Sequence, residues 1–183
     1  MRLFYMDFHN VSGHDAAYGL LGYAFTQIFG DPLPEISKAE NGKPYFPSRP
    51  DVHFSLSHTK GYVLCAIGNS PVGADMEKIR EIRPNLEKRV RSDAERESFD
   101  FFSSWVLKES FIKLCGTMTM PLRELIFTGS ADDIICPQEG IFAKLYDTAE
   151  GYRTAICSCD KNLPKAAEFV SFDTIFDSKT ENS

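Results

Sequence analysis

The stretch Val72-Gly73-Ala74-Asp75-Met76-Glu77-Lys78-Ile79 decides how this chain is built. Val72, Ala74 and Met76 alternate with Gly73, Asp75 and Glu77, the period of a strand with one apolar and one polar face. It opens a second unit, because a first one is already complete upstream. Residues 2–8 read as a strand, and residues 15–29 carry Ala17, Leu20, Leu21, Ala24, Phe25 and Ile28 at helical spacing until Gly30-Asp31-Pro32 stops them. After a loop around Asn41-Gly42-Lys43-Pro44, residues 53–56 and 61–68 read as strands, and Asn69-Ser70-Pro71 as a turn.

Downstream, residues 79–97 are dense in charge, with Arg80, Arg83, Lys88, Arg89, Arg91 and Arg96 set among carboxylates. Residues 101–114 predict an amphipathic helix ended by Gly116. Residues 122–128, 142–147 and 152–159 read as strands, a last strand falls near 169–172, and the polar tail 178–183 is expected to be disordered. An order of β, α, β, β followed by β, α and further strands predicts an α+β fold with two similar lobes, not a parallel doubly wound sheet. The lobes divide as residues 1–69 and 70–175, with 176–183 as the tail.

With 183 residues, 43% of them apolar, the chain can build a real core. Its formal net charge of -6 argues against non-specific binding to nucleic acid or anionic membrane, so a polyanionic substrate needs local positive charge. The five cysteines are odd in number and include no Cys-x-x-Cys pair, which reads as reduced thiols in a cytoplasmic protein. The opening MRLFYMDFHNV is broken by Asp7 and reads as a first strand rather than a secretion signal. No run of about 18 apolar residues predicts a membrane span.

Three blocks carry chemistry. Asp75 and Glu77 stand two apart on a strand and project from one face, where they can share a hard cation such as magnesium; the same pattern also suits an ordinary solvated strand face. In Trp105-Val106-Leu107-Lys108-Glu109-Ser110-Phe111-Ile112-Lys113, Glu109 and Lys113 lie four apart on one helical face, either as a surface ion pair or as a polar stripe facing a site. His53-Phe54-Ser55-Leu56-Ser57-His58-Thr59 ends a strand with a hydroxyl and an imidazole. No Gly-x-Ser-x-Gly elbow accompanies it, and His and Cys residues lack zinc-ligand spacing.

Taken in order, Gly42-Lys43-Pro44, Phe54-Ser55-Leu56-Ser57-His58, Gly73-Ala74-Asp75-Met76-Glu77 and Trp105 to Lys113 resemble the signature of the surfactin-type 4'-phosphopantetheinyl transferases. The resemblance implies a pseudo-dimeric fold of two α/β lobes, and two complementary lobes in one chain fit a monomer. It implies transfer of 4'-phosphopantetheine from coenzyme A to a serine of an acyl or peptidyl carrier protein, with release of 3',5'-ADP. Asp75, Glu77 and Glu109 then hold magnesium, or manganese in its place, against the coenzyme A pyrophosphate. His58, with Ser57 beside it, grips a coenzyme A phosphate, Lys113 sits on the pyrophosphate, and Lys43 lies near the adenosine end. Glu109 is the candidate general base for the carrier serine, with Lys113 and His58 stabilising charge.

The family's basic clamp in the N-terminal half is thin here, since no lysine or arginine lies between Arg2 and Lys38. Either affinity for coenzyme A is low or the grip on the 3'-phosphate falls on Lys43, His58 and Arg49. The arginines of residues 80–96 are placed to steer an acidic carrier, or simply belong to a solvated linker helix. Two other readings are a metal-dependent phosphodiesterase and a non-catalytic relative that binds coenzyme A or carrier proteins.

Overall fold

The computed structural model describes residues 1–117 and 120–176. The first half runs β1 (Arg2–Asp7), α1 (Gly13–Phe29), β2 (Ser37–Lys38), β3 (Pro44–Tyr45), β4 (His53–Thr59) and β5 (Tyr62–Gly68). The second runs β6 (Val72–Lys78), α2 (Pro84–Val90), α3 (Asp93–Ser98), α4 (Phe101–Cys115), β7 (Thr128–Gly129), β8 (Ile134–Ile135), β9 (Phe142–Tyr146) and β10 (Tyr152–Ser158). The described chain ends with β11 (Glu168–Phe169) and α5 (Phe172–Phe176).

Two antiparallel strand sets share one order. In the first half β5 lies between β1 and β4, and in the second β10 lies between β6 and β9. Each set is therefore first, third, second, with a long helix after its first strand. Alternation along the strands sets the layers. In β1 and β5, Phe4, Met6, Val63, Cys65 and Ile67 pack under α1, while Leu3, Leu64 and Ala66 face the second sheet. There they meet Val72, Ala74, Met76 and Ile156, and the opposite face of β10, through Ala155 and Cys157, packs under α4. The molecule is thus helix, sheet, sheet, helix, with both sheets buried on two faces. That arrangement explains why β5 reads as an almost continuous apolar run.

Capping sets the long helices. Ser12 accepts from the Asp15 amide at the start of α1, and Asp100 from the Ser103 amide at the start of α4. Gly30 and Gly116 end them at φ 76° and 78°, in the left-handed region that glycine enters without strain. No helix among the described residues is long and apolar enough to cross a membrane.

Several expectations need correction. Residues 122–128 do not form one strand: one helical turn covers Leu122–Glu124, and only Thr128–Gly129 are extended. The reason is a buried ion pair. The Lys108 ammonium donates to Glu95 at 2.8 Å and to the carbonyls of Val90 and Leu122 at 2.7 Å each. Glu95 in turn accepts from the Phe127 amide at 3.3 Å. Side chains thus provide the backbone bonds that a strand partner would have provided.

Lys108 also corrects the picture of α4 as a helix with one polar stripe. Lys108 and Glu95 have no exposed side-chain surface, and α4 is buried on nearly every side. The charged segment before it folds as two short helices, of which α3 carries a reciprocal capping box between Ser92 and Glu95. Lys108→Met is expected to cost about 3–5 kcal/mol, because it strands a buried carboxylate. Urea denaturation of the single variant and of Lys108→Met with Glu95→Met checks this, the double change recovering much of the loss.

Glu168–Phe169 pair in parallel with Phe4 and Tyr5 of β1, and Gly19 of α1 lies against Phe176 and Ile175 of α5. The last described segment therefore packs against β1 and α1. The last strand is also shorter than the expected 169–172, since Phe172 already opens α5. Of the expected tail, Phe176 closes that helix, stacked on Phe172 at 4.6 Å, and the remainder lies outside the described residues.

Candidate active site

Gly73, Asp75 and Glu77 occupy the face of β6 that looks at α4, opposite the apolar row of Val72, Ala74 and Met76. Gly73 permits the contact: a Cβ there would collide with the Ser110 carbonyl oxygen and the Leu114 amide. With α4 resting on the strand backbone, Lys113 reaches Asp75. Its Nζ donates to Asp75 Oδ1 at 2.7 Å and to the Leu56 carbonyl at 3.3 Å. Ser57 donates to the same Oδ1 at 2.7 Å. Asp75 is 6% exposed, so a buried carboxylate is held by one ammonium and one hydroxyl.

Ser55 and Ser57 also close the seam between the sheets. The Ala74 amide donates to Ser55 Oγ at 2.9 Å and the Met76 amide to Ser57 Oγ at 3.4 Å. Serine hydroxyls of β4 thus satisfy the edge of β6 where no strand does. Ser57 is buried in this role, linking the seam to Asp75.

Glu109 stands one helical turn before Lys113 and is half-buried. Its carboxyl is held above the ordinary range, first by burial, then by the negative charge of Asp75, with a smaller push from Glu77, against the pull of Lys113. Strand and helix therefore bring Asp75, Glu77 and Glu109 within electrostatic reach of one another. Glu77 is paired with Arg80, which sequence reading placed among the arginines that steer a carrier rather than at the site. Lys113 and Arg80 together balance two of the three acids. Among the described residues no group of three His, Cys, Asp or Glu is arranged to hold a metal ion as it stands. The donor chemistry still suits a hard cation: only carboxylate oxygens, with repulsion among them that a divalent charge would relieve.

Beside Lys113 opens a cleft of about 350 Å³ between the halves, walled by His14 and Tyr18 of α1, Lys43, Leu56 and His58 of β4, and Ile112. His58 is exposed on its rim, against Gly13 at the start of α1. Lys43 lines the cleft, but its ammonium donates to the Leu114 carbonyl at 3.0 Å and the Val72 carbonyl at 3.2 Å. It caps the last turn of α4, where carbonyls lack helical partners, and burial pulls its pKa down. Arg49 is absent from the cleft lining; it pairs with Asp51 at 3.0 Å and lies over the Phe29 ring. The expected grip of Lys43, His58 and Arg49 thus leaves His58 as the one of the three whose ring is presented at the rim.

Of the cluster around Asp75, Lys113 lines the cleft, and acids balanced by lysine and arginine beside it suit an enzyme that handles phosphate groups. No family model matches the chain. It is similar to a 4'-phosphopantetheinyl transferase of Bacillus subtilis, at 28% identity over 188 aligned positions, 92% of this chain and 84% of the relative. It is 30% identical to the 4'-phosphopantetheinyl transferase Sfp of Bacillus subtilis strain 168, over 76% of this chain and 69% of the relative. It is also 30% identical to the 4'-phosphopantetheinyl transferase psf-1 of Bacillus pumilus, over 85% of this chain and 73% of the relative. The chain belongs to the Sfp-like 4'-phosphopantetheinyl transferases and is an enzyme of that type.

Proposed function

We propose that this enzyme transfers the 4'-phosphopantetheine group of coenzyme A to a serine hydroxyl of an acyl or peptidyl carrier protein, releasing 3',5'-ADP. The observation that carries the reading is the convergence of Asp75, Glu109 and Lys113 at the seam of β4, β6 and α4, beside a cleft of nucleotide-binding size. A magnesium ion, with manganese as a substitute, held by Asp75, Glu77 and Glu109, would supply positive charge to the pyrophosphate as the leaving oxygen gains charge. Lys113 orients a phosphate oxygen once it exchanges Asp75 for substrate, and His58 donates to a second phosphate at the rim. Glu109, whose affinity for a proton is raised by burial and by the charge of Asp75, accepts the proton of the carrier serine. Ser57 keeps Asp75 in place.

The two halves act as lobes of a pseudo-dimer, which the shared strand order supports. The first comprises residues 1–69 with the returning segment Glu168–Phe176, and the second begins at residue 70. Because β4 comes from one half and β6 with α4 from the other, a monomer completes the site. Cytoplasmic location is the reading that fits five free cysteines.

The carrier docks in a groove of about 690 Å³ that adjoins the site through Arg80, with Arg83 and Arg89 on its rim and Phe102 and Trp105 in its wall. An acidic helix complements it. Arg83→Glu with Arg89→Glu is expected to raise KM for the carrier about tenfold with kcat unchanged, the effect fading at high salt. Steady-state kinetics with varied carrier and salt test this.

Incubation with coenzyme A, magnesium and an apo carrier tests the function itself. Release of 3',5'-ADP that requires the carrier serine supports the reading; release of free 4'-phosphopantetheine from coenzyme A without a carrier points to a phosphodiesterase and defeats it.

A further inference from the structure

The fold gathers two thiols that the proposed reaction does not use. All five cysteines are free. Cys65 and Cys157 lie in the core, where burial pushes their thiols up, and Cys136, partly buried, is pushed up to about 11. Cys115 and Cys159 are exposed. Their neighbours in the chain place them together. Lys43 Nζ bonds the carbonyls of Leu114 and Val72 at 3.0 and 3.2 Å, and Val72 pairs with Ser158 across the β6–β10 ladder. Cys115 and Cys159 are the next residues after Leu114 and Ser158, so they flank one ammonium. The electrostatics agree: Lys43 feels both thiols, and Cys115 feels Cys159.

We propose that Cys115 and Cys159 form a reversible disulfide that fastens the carboxyl-terminal end of α4 to the end of β10, a redox modification site beside Lys43 of the cleft wall. A low-molecular-weight disulfide is the oxidant. One cysteine, as thiolate, attacks a sulfur of that disulfide and expels one of its halves as a thiolate, which takes up a proton. The second cysteine loses its proton and attacks the mixed disulfide, expelling the other half. Two protein thiols are oxidised to one disulfide while the oxidant is reduced to two thiols. Burial pushes the Cys115 thiol up, and the Lys43 ammonium beside it partly offsets that push. Cys115 ends its helix before Gly116 and Cys159 lies in a bend after β10, and the link requires their Cα atoms to stand about 4.4–6.8 Å apart. The link closes a loop of the unfolded chain and so favours the folded one.

The test equilibrates the full chain with glutathione and glutathione disulfide, blocks remaining thiols, and maps peptides without reduction. The expected product is lighter by two hydrogens, joins the peptides of Cys115 and Cys159, and melts several degrees higher than the reduced protein until dithiothreitol reverses it. Cys115→Ser and Cys159→Ser should each accumulate one glutathione adduct on the remaining cysteine, with no rise in Tm. Separate glutathione adducts on both positions of the wild type, a link to Cys136, or a link only between chains would each overturn the proposal. None of these readouts depends on transfer activity.

Discussion

Glu109→Gln is expected to lower the rate of phosphopantetheine transfer by roughly 10²–10⁴-fold, the range for loss of a positioned general base, without lowering Tm in metal-free buffer. The second half of that expectation follows from the electrostatics of the folded chain. Burial, Asp75 and Glu77 all disfavour the ionised form of Glu109, and Lys113 only partly offsets them. A carboxyl whose folded pKa is raised opposes folding when ionised. The penalty is absent at pH below the unfolded carboxylate range, grows as pH rises through it, and is complete above the folded pKa. Gln removes the charge and with it the penalty, so the variant should melt at the same temperature as wild type or higher at neutral pH. The two should converge in acid. A structural residue would behave in the opposite way, losing stability and activity together. Binding of coenzyme A, measured by calorimetry, should persist in the variant.

Gly73→Ala is expected to be the most damaging single methyl in the chain. Its Cβ would enter the space of the Ser110 carbonyl and the Leu114 amide, which are backbone and cannot rotate away. Overpacking a core costs about 1–3 kcal/mol and more where backbone must move, so this change belongs at the upper end or beyond. The only relief is for α4 to lift from β6. That lengthens the 2.7 Å contact between Lys113 and Asp75 and separates Glu109 from the strand acids. Thermal denaturation and transfer kinetics should therefore fall together, with the residual folded protein still slow. Ala at neighbouring exposed glycines such as Gly42, where no atom stands within 4 Å of the new Cβ, controls for glycine loss itself. Gly42 holds φ at 82°, so some strain remains in that control.

Much of the architecture was legible because two periods are hard to mistake. The alternation from Val72 to Glu77 placed three apolar residues against the first sheet and the two acids against α4. The helical spacing of residues 15–29 and 101–114 predicted α1 and α4 within two residues at their starts and one at their ends. The site was less legible, because side-chain partners are tertiary facts. Glu109 and Lys113 read as a pair four apart, yet Lys113 reaches across to Asp75, since Gly73 lets the strand come nearer than the helical neighbour. Ser57 read as a companion of His58 at a phosphate, but alternation along β4 buries it against β6 and leaves His58 exposed. Lys108 looked like any other lysine of a helix; only the position of Glu95, itself hidden in a capping box, reveals that it is interior. The pairing of Glu168–Phe169 with β1 joins segments too distant in sequence for any local pattern to report.

The most direct test of the central claim is the intact mass of an apo carrier protein after incubation with coenzyme A and magnesium, run in parallel with wild type and with Asp75→Asn. The account predicts that wild type adds the mass of one phosphopantetheine to the carrier, and that the Asn variant, folded by circular dichroism, leaves the carrier unchanged over the same time. Conversion of the carrier by Asp75→Asn at the wild-type rate would contradict it.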